Sequence, residues 1–371
     1  MSIIVDYLRK TTLEFIKNQK LKNGEIGEYR YSSAVSKPTL YSSAYAAMTC
    51  SLYHDLDLLT AEEKERWIIY FNLHQDDDGL FRDNVIYNQG WYEGDPLWCG
   101  RPHLTCHVIT ALACLGDIAK KPFKFLKPYM EVDNLVKWLG SRDWGEKVGW
   151  TGNEIMNIGT LLQYARDFHC DSKAGKAVCV MLEWLSENHI SRETGVWGEL
   201  DISDPIWRSH AIQAAYHWWP LFFYDNYPIP FIEKAIDTLL RTQNPLGGFG
   251  WGVHNPKDPF KSSACEDIDS IDPLARMTQK TAYRRDEIMA VLEKAADWVL
   301  QNRIEDGGFV FILDRPFEYG HRELYGEKSK GAMFPTWFRT LSLAVIGKAV
   351  PENPLGKYPW NFIMHPGFQF W

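Results

Sequence analysis

The sequence predicts an all-helical protein, six helical hairpins closed into an α6/α6 toroid, as one domain over residues 1–371. Three observations predict it. A glycine turn recurs along the chain, two kinds of helix alternate between the turns, and prolines mark the starts of one kind.

The turn follows the end of a helix near Gln or Asn and combines acids or polar residues, glycine and an aromatic. Its clearest copies are QDDDGLFRD (75–83), SRETGVWGE (191–199), QNPLGGFGWG (243–252) and QNRIEDGGFVF (301–311). NGEIGEY (23–29) and SRDWGEKVGW (141–150) are weaker copies. Six turns roughly 50–65 residues apart describe a helical-hairpin repeat.

Helices expected at 3–18, 61–74, 133–139, 173–187, 230–242 and 285–302 carry apolar stripes of 3.6 period and charged outer faces. They suit an outer layer. Those expected at 39–53, 103–115, 154–164, 206–223, 274–279 and 336–346 are apolar or small almost all round and belong inside. An open stack of such hairpins would leave two hydrophobic ends, and a ring leaves none.

Pro38, Pro102, Pro205, Pro273 and Pro335 stand at or near the expected starts of inner helices, where a missing N–H costs nothing. Asp204 and Asp272 precede two of them and are expected to be N-caps. The inner helices then run the same way, and six N-termini surround one mouth, which favours anions.

Composition narrows the function. The net charge of −8 and the lack of a Lys/Arg block argue against a nucleic-acid partner. No apolar run is long enough for a transmembrane segment. Seven cysteines without framework spacing read as free thiols, with the cytoplasm as the expected compartment. The 16 tryptophans are enough to line a pocket as well as fill a core.

Four groups of residues are expected at the mouth. Glu266, Asp267, Asp269 and Asp272 form an acid cluster in SSACEDIDSIDPLARM. Carboxylates crowded in a dry cavity cannot all ionise, so one keeps its proton and becomes a donor at neutral pH. Arg208, Arg276 and Arg339 each follow an inner-helix proline by three or four residues. They are expected to converge on one opening and bind an anionic group of a small-molecule substrate. His103 and His107 lie in GRPHLTCH. Cys99 and Cys106 beside them give a zinc-like composition, but Pro102 sets Cys99 outside the helix, and no metal is expected. Tyr41, Tyr45, Asn153, Glu154, Asn157 and His210 add polarity at other helix starts, while Trp207, Trp218, Trp219, Trp251 and Trp337 make the mouth aromatic.

The turns QNPLGGFGWG and QNRIEDGGFVF, set between helical hairpins, resemble the Gln-Trp-type repeats of the terpene cyclase and protein prenyltransferase toroids, including the squalene cyclases. Proton-initiated (class II) cyclases of that superfamily carry an Asp-x-Asp-Asp motif at the start of an inner helix. Asp267-Ile268-Asp269-Ser270 is similar to it, with Ser270 in place of the last acid. The resemblance implies that Asp269 is the acid that protonates an alkene or epoxide and Asp267 its partner, with Glu266 beside them. No cofactor is implied, other than Mg2+ should the substrate carry a diphosphate. The zinc ligands of the prenyltransferases are not recognisable.

Two alternatives stay open. An enzyme acting on an acidic saccharide, as lyase, epimerase or hydrolase, would use the arginines and Asn153 or Asn157 for a carboxylate. A non-catalytic repeat protein would use its cavity for binding alone. The segment 314–330 is long, charged and aromatic, and reads as a lid or an interface.

Overall fold

The computed structural model describes residues 3–22, 24–87 and 95–371. Asn23, which opens the NGEIGEY turn, lies outside the described residues. Among the described residues twelve long helices follow one another: α1 (Ile3–Gln19), α2 (Leu40–Leu52), α3 (Ala61–Asn72), α4 (Arg101–Leu115), α5 (Val132–Gly140), α6 (Val148–Phe168), α7 (Ser172–Glu187), α8 (Pro205–Tyr224), α9 (Ile232–Leu240), α10 (Ala264–Met277), α11 (Arg285–Gln301) and α12 (Met333–Ala349). The odd-numbered helices are the outer layer and the even-numbered ones the inner.

Patterning decides the layer. On α7 only the stripe Ala174, Ala177, Val178, Met181, Leu182 and Leu185 is buried, as the 3.6-residue period requires. Every residue of α2 is buried. Each inner helix packs on the next, from α2 through α4, α6, α8 and α10 to α12, and α12 returns to α2. The inner ring is closed.

The glycine turns close the outer layer as well. Isolated bridges Lys20↔Tyr29, Gln75↔Phe81, Ile190↔Trp197 and Arg303↔Phe309 pin four of them. The leading glutamines tie a turn to the next unit: Gln243 Nε2 donates to Gly247 O (3.0 Å) and to Val291 O of α11 (2.8 Å). Gly307 adopts φ +91°, and a Cβ there would stand 2.2 Å from Thr11 O of α1. Only glycine combines that dihedral with so close an approach. This contact seats the last hairpin on the first outer helix.

The helix starts agree with expectation at Pro205, where Asp204 accepts from Ile206 and Trp207 N–H groups. They differ at α10, which begins at Ala264 rather than near residue 274. Ser263 and Glu266 form a capping box that starts the helix early, and Pro273 lies inside it. Asp272 is therefore not an N-cap. Pro273 also deletes the helical bond to the Asp269 carbonyl.

Two segments cover the ring. In 314–330, β1 (Phe317–Glu318) pairs antiparallel with β2 (Tyr325–Gly326). Its Tyr319 ring packs 4.5 Å from Phe334 and 6.3 Å from Tyr41, on the helix-start end of the ring. The segment 361–371 crosses the other end, where it meets residues of all six inner helices.

Candidate active site

Cys265, Asp269, Asp272 and Arg276 follow one another on α10 at spacings of four, three and four, so they share one face. Asp272 accepts two bonds from Arg276 Nε (2.8 and 2.9 Å), and Arg276 also donates to Phe370 O (2.6 Å). Asp269 is 4 % exposed and has no hydrogen bond or ion pair among the described residues. Burial, reinforced by the charges of Glu266, Asp267 and Asp272, holds its carboxyl well above the usual carboxylate range. The Tyr216 hydroxyl of α8, buried beside Asp272 and Asp269, is pushed up in the same way.

The other two acids of the cluster are engaged. Asp267 accepts from Ser262 Oγ (2.6 Å), Phe249 N (3.1 Å), Trp298 Nε1 (2.9 Å) and Arg339 Nη1 (2.8 Å). Glu266 closes the capping box with Ser263, accepts from Val253 N (3.2 Å) and lies 3.6 Å from His254 Nδ1. Burial pushes its carboxyl up, but His254 and Ser263 outweigh burial and hold it below the usual range. Asp267 and Glu266 are thus fixed by partners on other elements and act on Asp269 through their charge. Asp272 is committed to Arg276 and Asp267 to Arg339. Among the described residues no three His, Cys, Asp or Glu side chains form a metal-binding group.

The three arginines do not converge. Arg339 is wholly buried and donates to Asp267 and to the carbonyls of Val310, Phe311 and Ser262. Arg276 lies in the last turn of α10, at the far end from the mouth. Arg208 bonds Ile202 O (3.3 Å), and on the helical wheel it lies away from His210, Gln213 and His217. The expectation assumed that each arginine follows a proline at a helix start. Pro273 breaks that equivalence, and helical phase turns the other two outward.

A polar wall is built by α2, α4, α6 and α8. Tyr41 Oη bonds His103 Nδ1 at 2.8 Å, and the His103 and His107 rings are 4.5 Å apart. His107 Nδ1 donates to His103 O (2.9 Å) and His217 Nδ1 to Gln213 O (2.6 Å), which leaves each Nε2 as the basic nitrogen. Asn157 Nδ2 donates to Asn153 Oδ1 (3.0 Å), and Asn153 Nδ2 stands 3.5 Å from His217 Nε2. Burial lowers the His107 and His217 pKa values to about 4, and that of His103 further below its usual value. All three are neutral at pH 7.

Aromatic rings complete the interior. Tyr45 stacks on Trp337 (5.4 Å), and Phe338 packs at 4.5 Å from Trp337 and 4.6 Å from Phe334. Trp207 is half-exposed at the start of α8, 5.3 Å from His210. Trp251 donates Nε1–H to Thr242 O (2.8 Å) and belongs to its glycine turn. Beside the start of α6 a cavity of about 320 Å³ is lined by Trp98, Trp150 and the Arg142–Glu154 pair.

His217, Gln213, Tyr216 and Cys265 are not among the residues singled out from the sequence. The spacing His210, Gln213, His217 on one helix was the available signal for two of them. Phe368, from the segment 361–371, also enters the interior, 4.5 Å from His107 and 5.5 Å from Trp337.

No protein-family model matches the chain, and no curated protein matches it in sequence. Solved structures of diverse enzymes are similar to it. A type II terpene cyclase from Scytonema, in complex with geranylgeranyl dihydroxybenzoate, is 13% identical with a TM-score of 0.51, over 95% of this chain and 98% of that one. A polysaccharide lyase is 10% identical with a TM-score of 0.54, and a D-mannose isomerase 14% identical with a TM-score of 0.53. Each covers 94% of this chain and 98% of its own. None of the described helices is long and apolar enough to cross a membrane. At these identities the likeness is one of fold, and the chain has the α/α-toroid fold that these structures share.

Proposed function

We propose that the protein is a proton-transfer enzyme of the class II cyclase type, with Asp269 as the acid that protonates an isoprenoid alkene. The observation that carries this reading is the Asp269 carboxyl. It is buried and unbonded among the described residues, and burial with the neighbouring acids shifts it toward its protonated form. A protonated carboxyl in a low-dielectric site is a donor with no partner competing for its proton.

The other inner helices supply the remaining chemistry. Protonation leaves a carbocation, which the Trp337, Tyr45 and Phe334 rings stabilise through their π faces. Ring closure moves the charge, and loss of a proton to a neutral imidazole, His107 or His217, ends the reaction. The substrate gains one proton and loses another, so the product is its isomer. A diphosphate would lie toward the helix starts, away from the carboxyl face, and only such a substrate would bring Mg2+ with it. The reaction is assigned to the cytoplasm.

A second reading, action on a saccharide, is favoured by the wall of His103, His107, His217, Tyr41, Asn153 and Asn157. It offers hydrogen bonds that a hydrocarbon does not use. Incubation with prenyl alcohols, prenyl diphosphates and polyprenes, alongside uronate-containing and neutral oligosaccharides, separates the two. Isomerised isoprenoid supports the first reading, and consumption of a saccharide with no isoprenoid turnover replaces it by the second.

A further inference from the structure

The segment 361–371 makes more contacts with the inside of the ring than a surface tail would need. Asn361 bonds Leu52 O (3.3 Å) and Ser51 Oγ (3.2 Å) of α2. His365 packs on Tyr164 and Phe168 of α6. Gly367, at φ +110°, sits where a Cβ would meet Thr110 of α4 at 3.2 Å and Thr160 of α6 at 3.3 Å. Gln369 accepts from Trp337 Nε1 of α12 (2.9 Å) and donates to Met48 O of α2 (2.9 Å). Phe370 O accepts from Arg276 of α10, and its ring meets Tyr224 of α8. Arg276, which fails to join a mouth, is the anchor of this segment at the other end.

Phe368 is the residue that reaches furthest up the axis. Its neighbours His107 and Trp337 lie six residues into α4 and four into α12. At about 1.5 Å per residue, its ring stands about 6–9 Å below the helix starts. Asp269, five residues into α10, is at the same level. The lower part of the ring, below the level of Asp269, is therefore occupied by the chain itself.

We infer that the segment 361–371 is a plug whose Phe368 ring forms the floor of the cavity and sets the length of substrate the ring accepts. The inference rests on the reading of the Asp269 face as the site, and it names short substrates as the class. Phe368 acts as a specificity determinant by excluding the part of a longer chain that would pass Asp269. The arrangement is held by the two residues that follow Phe368, through the Gln369 bonds to Trp337 and Met48 and the Phe370 bond to Arg276.

The test is binding of hexanol, decanol and tetradecanol to the full chain, followed by tryptophan fluorescence. These alcohols have no reacting double bond, so they report the floor and not the acid; isoprenoid turnover tests the acid separately. The wild-type protein is expected to stop gaining affinity beyond a cut-off length. Phe368→Ala is expected to move the cut-off to a longer alcohol, with about fourfold in affinity for each methylene newly buried. Phe368→Trp is expected to move it to a shorter one. If Phe368→Ala does not fold, Phe368→Leu gives the same sign with a smaller shift. An unchanged cut-off in folded variants, or no binding of any alcohol to wild type and variants alike, overturns the inference.

Discussion

Replacing Arg339 by Met tests how the buried Asp267 carboxylate, two residues from Asp269, is held in place. Arg339 and Asp267 are both fully buried, 2.8 Å apart, and the guanidinium also serves three carbonyls. Removing one partner of such a pair leaves a buried charge uncompensated, which costs about 3–5 kcal/mol. Unfolding entropy of about 2.1 cal/mol/K per residue over 371 residues gives about 0.8 kcal/mol per degree. The melting temperature should therefore fall by about 4–6 °C, measured by calorimetry at pH 7. The double variant Asp267→Asn/Arg339→Met removes the stranded carboxylate and should recover part of the loss. Ser262, Phe249 and Trp298 keep an acceptor in the asparagine oxygen, so recovery should be partial. A melting temperature for Arg339→Met within a degree of wild type would refute the reasoning, because it would mean that the pair is not sealed from water.

Three further outcomes follow from other features. Asp269→Asn should stabilise the protein increasingly as pH rises from about 4 toward neutrality. The Asp269 carboxyl is held above its unfolded value by burial and neighbouring acids, so its contribution is full below that value and is lost as pH rises toward the folded one. Equal melting shifts at pH 4.5 and pH 7.5 would contradict this. His107 has the opposite sign: its pKa is lowered from 6.5 to about 4 by burial, so stability is lost as pH falls through that window. The window is worth about 3 kcal/mol, and His107→Gln should show a smaller loss between pH 7 and pH 4 in urea titrations. Gly307→Ala forces a Cβ toward Thr11 O at a positive φ and should cost about 2 kcal/mol or more. A variant that melts with wild type would mean that the turn does not seat on α1.

The repeat is legible in the sequence because its signals are local. Periodicity, a glycine that only one backbone conformation needs, and Asp204 before Pro205 all act within a few residues. The start of α10 is not legible in the same way. Ser263 to Asp272 is rich in residues that favour loops, and the capping box that nucleates the helix competes with a misleading proline at 273. The acid is legible only in part: its motif marks Asp269, but the motif does not separate it from Glu266 and Asp267. That separation depends on Arg339, Trp298 and His254, which other elements bring in. The arginines fail for a simpler reason, since the spacing of Arg208 and Arg339 from a proline does not say which face of each helix turns inward. Phe368 and its floor are invisible to sequence periodicity. Gln369 bonds Met48 across 321 residues, and nothing local announces that contact.

Turnover by Asp269→Asn tests the central claim most directly. Wild-type protein and the variant are incubated with the prenyl series and the products are separated by gas chromatography with mass detection. A short isoprenoid should be converted to a cyclic isomer by the wild type, and the variant should be slower by about 10²–10⁴-fold while keeping its fold and its binding of the same substrate. Conversion by Asp269→Asn at the wild-type rate would contradict the assignment of the acid.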